Sequence, residues 1–144
     1  MSAIRALVGL GEPGLPVFGR ESLLARSNFP ADRVARYAVL LVASDGYLRR
    51  IVEKPDASLI AAAGGRTLLS MNLWRFSPEI FEACRRVPVS VRGERELPQA
   101  VDFGIRELGM RFRAVPCEEG VLDLSTRGDV AEVAERLRAV EARP

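Results

Sequence analysis

Glu53-Lys54-Pro55 is where residue type and position first combine into chemistry. The pair closes an expected strand, Tyr47–Val52, against a proline. In α/β sheets, strand ends that face a crevice are where ligands bind. A Lys there is a compact point charge suited to a phosphate, and a Glu accepts hydrogen bonds from sugar hydroxyls. Lys54 is the one lysine in a chain whose other basic residues are all arginine. The competing reading is a solvated charged pair at a strand end. Asp123 stands alone in the apolar run Val121–Leu124. A carboxylate in that setting must be paired or hold a cation, and a hard ion such as Mg²⁺ with phosphate oxygens would suit it. It could equally cap the helix that follows. Arg92, beside Gly93 at a helix start, could reach a phosphate or sit on the surface. Asn72 and Trp74 share one face of an expected strand, where they could line a sugar pocket, or Trp74 could be core.

Two patterns are set aside. Gly9–Gly14 spells G-x-G-x-x-G, but Pro13 and Pro16 forbid the helix that would supply a phosphate site. Cys84 and Cys117 have neither C-x-x-C nor zinc spacing and read as reduced thiols. With no histidine anywhere, Ser–His and Cys–His catalysis and His metal sites are excluded.

These residues need elements to hold them. At 144 residues, with 48% hydrophobic and 28% charged, the chain has the size and composition of one folded domain. A net charge of +2 argues against a broad nucleic-acid platform. No stretch approaches the length of a membrane span and no leader pattern is present, so the expected place is the cytoplasm. Residues 1–35 pattern irregularly, with a strand expected over Ile4–Val8, a helical turn over Arg20–Arg26 and a turn at Ser27–Pro30. From residue 36 to 144 the signals sharpen. Tyr37–Val42 and Tyr47–Val52 read as strands joined at Ser44-Asp45-Gly46. Asp56–Ala63 reads as a short helix and Thr67–Phe76 as a strand. Ser77-Pro78-Glu79 should start a helix running to about Arg86, with Ser77 as N-cap. Glu94–Leu108 reads as a helix ended by Gly109. Met110–Pro116 and Val121–Leu124 read as strands, and Thr126–Val140 as a closing helix with Val130, Val133, Ala134, Leu137 and Val140 on one face. The alternation argues an α/β fold: three layers, a mixed sheet and flanking helices.

In order, the blocks D-G-Y-L-R-R-I-V-E-K-P, S-M-N-L-W-R-F-S-P-E-I-F, R-G-E-R-E-L and G-V-L-D-L-S-T-R-G-D-V resemble the sugar-1-phosphate nucleotidyltransferases. The likeness runs from about Arg36 to Arg138. It implies a Rossmann-like nucleotide-diphospho-sugar transferase fold. It also implies that a sugar 1-phosphate attacks a nucleoside triphosphate and pyrophosphate leaves, with Mg²⁺ as cofactor. By that resemblance Glu53 holds sugar hydroxyls, Lys54 the sugar phosphate, and Arg92 neighbours that phosphate. Asn72 and Trp74 line the sugar pocket, Asp123 binds the metal, and Lys54 with Asp123 form the catalytic pair. The family's Gly-rich triphosphate loop and its first metal-binding Asp have no counterpart here. The chain therefore looks like the sugar-binding, C-terminal half of the domain, weak or inactive alone. The expected partner is a complementing nucleotide-binding half, or a second copy paired through an exposed sheet edge. The alternative is a non-catalytic sugar-phosphate-binding or interaction module derived from the same family.

Overall fold

The hairpin between Tyr37 and Val52 forms as its sequence dictates. A computed structural model, which describes residues 3–28, 30–34, 37–53, 58, 67–138 and 140, places β2 at Val39–Val42 and β3 at Leu48–Val52. Gly46 takes φ 80°, a left-handed conformation that glycine adopts at little cost. Its N–H donates to Ala43 O at 2.9 Å, and the Asp45 carboxylate accepts the Tyr47 N–H at 3.1 Å. This is Asx-turn chemistry.

The remaining strands are β1 (Gly14–Gly19), β4 (Leu68–Leu69) and β5 (Arg113–Cys117). They complete a five-stranded sheet in the order β3-β2-β4-β1-β5. The β1–β5 pair is parallel and the other pairs are antiparallel, so the sheet is mixed. Around it lie α1 (Ala3–Val8), α2 (Arg20–Arg26), α3 (Ala31–Val34), α4 (Ile80–Arg86), α5 (Leu97–Leu108) and α6 (Asp129–Leu137).

Strand alternation splits the apolar residues into two cores. Leu15, Val17, Leu40 and Ile51 point one way, onto Ile80 and Ala83 of α4 and Val101 of α5. Phe18, Val39, Leu69 and Cys117 point the other way, onto Leu23 of α2 and Val34 of α3. Helices therefore cover both faces, which makes three layers. Each fully buried Leu or Phe contributes on the order of 1.5–3 kcal/mol.

Several sequence expectations are corrected. Ile4–Val8 lies in a helix, not a strand. Residues 14–19 are not irregular: they form β1, buried between β4 and β5. Thr67–Phe76 is not one strand, and Pro16 supplies the reason. Carried on unbroken, the Phe18↔Leu69 register would set Gly14 opposite Leu73, whereas its partner is Arg75. The ladder breaks where it would have to pair with Pro16, which has no N–H to give. Two extra residues are looped out there, and Asn72 adopts φ 52° in the excursion. Glu94–Glu96 precede α5 instead of starting it, with Pro98 in the first turn. Gly109 ends α5 as expected, at φ 66°. The N-cap of α4 is Glu79, not Ser77. The Ser77 side chain instead hydrogen-bonds the Glu79 carboxyl and holds it below its ordinary range, helped by Glu79's own backbone. Val121–Leu124 is a loop. Of the apolar face of α6, only Val133 is buried; Val130 and Leu137, and Val140 beyond the helix, are exposed. Most of the helix expected over Asp56–Ala63 lies outside the described residues.

On each edge strand of the sheet an outward N–H group finds a partner within the chain. On β3, the Ile51 N–H donates to Asp102 of α5 at 3.2 Å, and the same carboxylate oxygen takes Arg50 Nε at 3.1 Å. On β5, Ala114 N–H donates outward to Gly46 O, and Phe112 O accepts from Leu48. Alternation then puts the Pro116 nitrogen, which carries no hydrogen, on that same outer edge.

Candidate functional site

Glu53 follows the last residue of β3 and is exposed. It opens onto a cavity of about 520 Å³ between the strand end, the loop after α4 and one side of α5. Val87, Pro88, Val89, Pro98 and Phe103 make apolar walls; Gln99, Asp102, Arg106 and Glu107 add polar groups. Phe103 also carries Arg86, whose guanidinium lies 5.7 Å from the ring centroid. Asp102 is committed to β3, as described above, and to Arg106 at 3.6 Å. Glu53 and Gln99 are therefore the lining groups whose geometry leaves them best placed to meet a ligand. An apolar wall with a few convergent acceptors and donors is the usual composition of a small-molecule site.

The other expected residues are dispersed. Lys54 lies outside the described residues. Arg92 is exposed in the turn before α5, 3.9 Å from Glu96, and its N–H donates to Ser90 Oγ at 3.2 Å. Asn72 is exposed in the looped-out segment, and its N–H reaches Ser70 Oγ at 3.3 Å. Trp74 is packed into the first core. It stacks on Phe76 at 5.6 Å and meets Phe112 edge-on at 6.0 Å. Its indole Nε1 is buried with no hydrogen-bond partner among the described residues. That placement is the core alternative for a lone tryptophan.

Asp123 lies on the opposite side of the sheet from the cavity, in a polar network. Its backbone N–H and C=O both pair with the Asn28 side chain at 2.7 Å. Its carboxylate accepts Arg33 Nη1 and the Tyr37 hydroxyl at 3.2 Å each, and Ser125 Oγ at 2.6 Å. Arg33 also forks onto Asp129 at 3.2–3.3 Å. Asp129 in turn accepts the backbone N–H groups of Ser125 and Thr126. The hydrogen bond from Arg33, then those from Thr126, hold the Asp129 carboxyl below its ordinary value. Burial first, and the Asp123 charge second, push the Tyr37 phenol up to about 12.

The resemblance implies Mg²⁺ at Asp123, and the donor set can be tested against that. Among the described residues no group of three His, Cys, Asp or Glu side chains could hold a metal ion. The carboxylate already has a guanidinium at salt-bridge distance. These residues do not fit a Mg²⁺ cage, which needs oxygen ligands free to close on the ion at about 2.0–2.1 Å.

Sequence reasoning missed Gln99 and Phe103 in the cavity, and Asn28, Arg33, Tyr37 and Asp129 around Asp123. Thr126-x-x-Asp129 carried one legible signal, the spacing of a capping box. Nothing local marks Arg33.

The chain is 31% identical over 107 residues to the UTP–glucose-1-phosphate uridylyltransferase AglF of Haloferax volcanii, covering 74% of this chain. It belongs to the sugar-1-phosphate nucleotidyltransferase family. The chain spans about two-fifths of that relative, 41% of its length. A UTP-bound UGPase from Acinetobacter baumannii matches the fold with a TM-score of 0.56 at 16% identity, over 96% of this chain and 45% of that one. The fold is accordingly that of the nucleotide-diphospho-sugar transferases. No family model matches the chain. Among the described residues no helix is long and apolar enough to cross a membrane.

Proposed function

We infer that this chain is the sugar-1-phosphate-binding part of a nucleotidyltransferase domain and takes its ligand at the end of β3. The observation that carries this is the coincidence of Glu53 with a cavity walled by α5, in a chain of this family. Glu53 and Gln99 hold sugar hydroxyls. Lys54, next in sequence, holds the phosphate as a point charge, and Arg92 approaches it from the turn before α5. Asn72 and Trp74 do not line this cavity and are assigned no contact with the sugar. The reaction served is attack of the sugar phosphate oxygen on the α-phosphorus of a nucleoside triphosphate, with pyrophosphate leaving. In such a transfer protein groups mainly position reactants and neutralise charge, so a chain without histidine is no obstacle. Mg²⁺ bound with the triphosphate would neutralise phosphate charge, and the Asp123 network is not assigned to hold it. The triphosphate site lies in the part of the domain that a complementing chain or segment supplies, and this chain alone is weak or inactive.

One observation favours a second reading. The Asp123 carboxylate is fully engaged by its own chain, which is the state expected of a binding module that has lost catalysis.

Calorimetric titration with glucose 1-phosphate, with and without UTP, tests both. Saturable sugar-phosphate binding lost in Lys54→Ala supports the pocket. Added UTP affinity with turnover excludes the non-catalytic module. No binding of the sugar phosphate by the chain refutes the site.

A further inference from the structure

The contacts around Asp123 lead beyond the sugar site. Arg33 Nη1 lies 3.2 Å from Asp123 Oδ2 and 3.3 Å from both carboxylate oxygens of Asp129. Three carboxylate oxygens from two aspartates thus converge on one nitrogen, and Arg33 Nη2 reaches Asp129 Oδ1 at 3.2 Å. The rest of the oxygen surface is also taken. Asp123 Oδ1 accepts Ser125 Oγ, and Oδ2 accepts Tyr37 as well as Arg33. Asp129 Oδ2 accepts the Ser125 and Thr126 N–H groups and the Thr126 hydroxyl at 2.7–3.1 Å. Every carboxylate oxygen of the pair has at least one donor.

We propose that Arg33 is the resident cation of the Asp123–Asp129 pair and that the chain binds no divalent metal there. A metal ion would have to expel the guanidinium and strip the hydroxyl and backbone donors from the same oxygens. Were the guanidinium to stay, it would sit against a divalent charge a few ångströms away, a strongly unfavourable contact where water is partly excluded. The spacing agrees: oxygens at 3.2–3.3 Å from a nitrogen are set by N–H···O bonds, not by coordination. The network has a structural purpose instead. Arg33 ties α3 to the first turn of α6, Asn28 clamps the Asp123 backbone, and Ser27 Oγ accepts the Val121 N–H at 3.0 Å. The loop after β5 is thereby fastened to the segment after α2 without forming a strand. None of this depends on the sugar-phosphate reading, and its test uses no substrate.

The test is a Mn²⁺ titration of the full chain followed by NMR, with Mn²⁺ standing in for Mg²⁺. The Asn28 side-chain amide and the Ser125 and Thr126 backbone amides report the site. The expected result is no selective broadening of these three signals up to millimolar Mn²⁺. Saturable broadening confined to them would overturn the assignment. In a second measurement, Arg33→Met in metal-free buffer is expected to melt several degrees below the wild-type chain, or not to fold. An unchanged melting temperature would show that the guanidinium is not the required counter-charge and would equally overturn it.

Discussion

The two sides of the sheet hold acidic residues in opposite ways. At Glu53 the carboxylate stands exposed at a strand end, over a cavity with apolar walls. At Asp123 the carboxylate is met by a guanidinium, a phenol and a hydroxyl, and its backbone is clamped as well. The first arrangement leaves hydrogen-bonding capacity for a ligand. The second spends it on holding the chain together. A carboxylate in a family motif is therefore not a functional group until its lone pairs are counted.

That contrast can be broken or sharpened by experiment. The largest effect is expected beneath the open side. Phe112 is fully buried and meets both Trp74 and Phe76 edge-on at 6.0 Å. Phe112→Ala should cost about 3–5 kcal/mol in denaturant unfolding; a loss under about 1 kcal/mol would mean that the cavity side does not rest on this core. Next comes the clamp on the closed side. Asn28→Ala leaves both backbone groups of Asp123 without their partners and should cost about 1–3 kcal/mol. A neutral result would show the network to be solvated in spite of its geometry.

Glu53→Gln should leave stability within about 0.5 kcal/mol of wild type, as exposed positions do. Glucose 1-phosphate binding should weaken roughly tenfold for one lost charge-assisted hydrogen bond. If stability falls instead, Glu53 belongs with Asp123 as a structural acid. The smallest effect is a pH signature of the closed side. Folding raises the Tyr37 phenol from 10.0 to about 12. Its contribution is therefore fully present below about pH 10 and lost as the pH rises through about 12. Ultraviolet titration of the phenolate should show a late component that Tyr37→Phe removes. A wild-type chain without that component would place the Tyr37 hydroxyl in water.

The parts of the fold legible in the sequence are those decided locally. Ser44-Asp45-Gly46 announced its hairpin because turn chemistry acts within a few residues. Gly109 announced the end of α5 because the left-handed position favours glycine. Pro13 and Pro16 excluded a phosphate helix at Gly9–Gly14, and there α1 ends and β1 begins instead. Glu53 was legible as a strand-end acid. Strand β1 was not, because Pro16 argues against a central strand. Only the looped-out segment opposite it removes the need for a donor. Val121–Leu124 looks like a strand by composition, yet Ser27 and Asn28 take up its backbone groups in place of a neighbouring ladder.

By itself, the sequence determined an α/β chain without histidine chemistry, its hairpin, most of its helices and its family blocks, since these follow from local backbone preference, periodicity and residue type. That Glu53 opens onto a cavity while the Asp123 carboxylate is engaged by its own chain was decided by tertiary contacts. The reason is distance along the chain: Arg33 and Tyr37 stand some ninety residues before the carboxylate they engage, and no local rule couples positions so far apart.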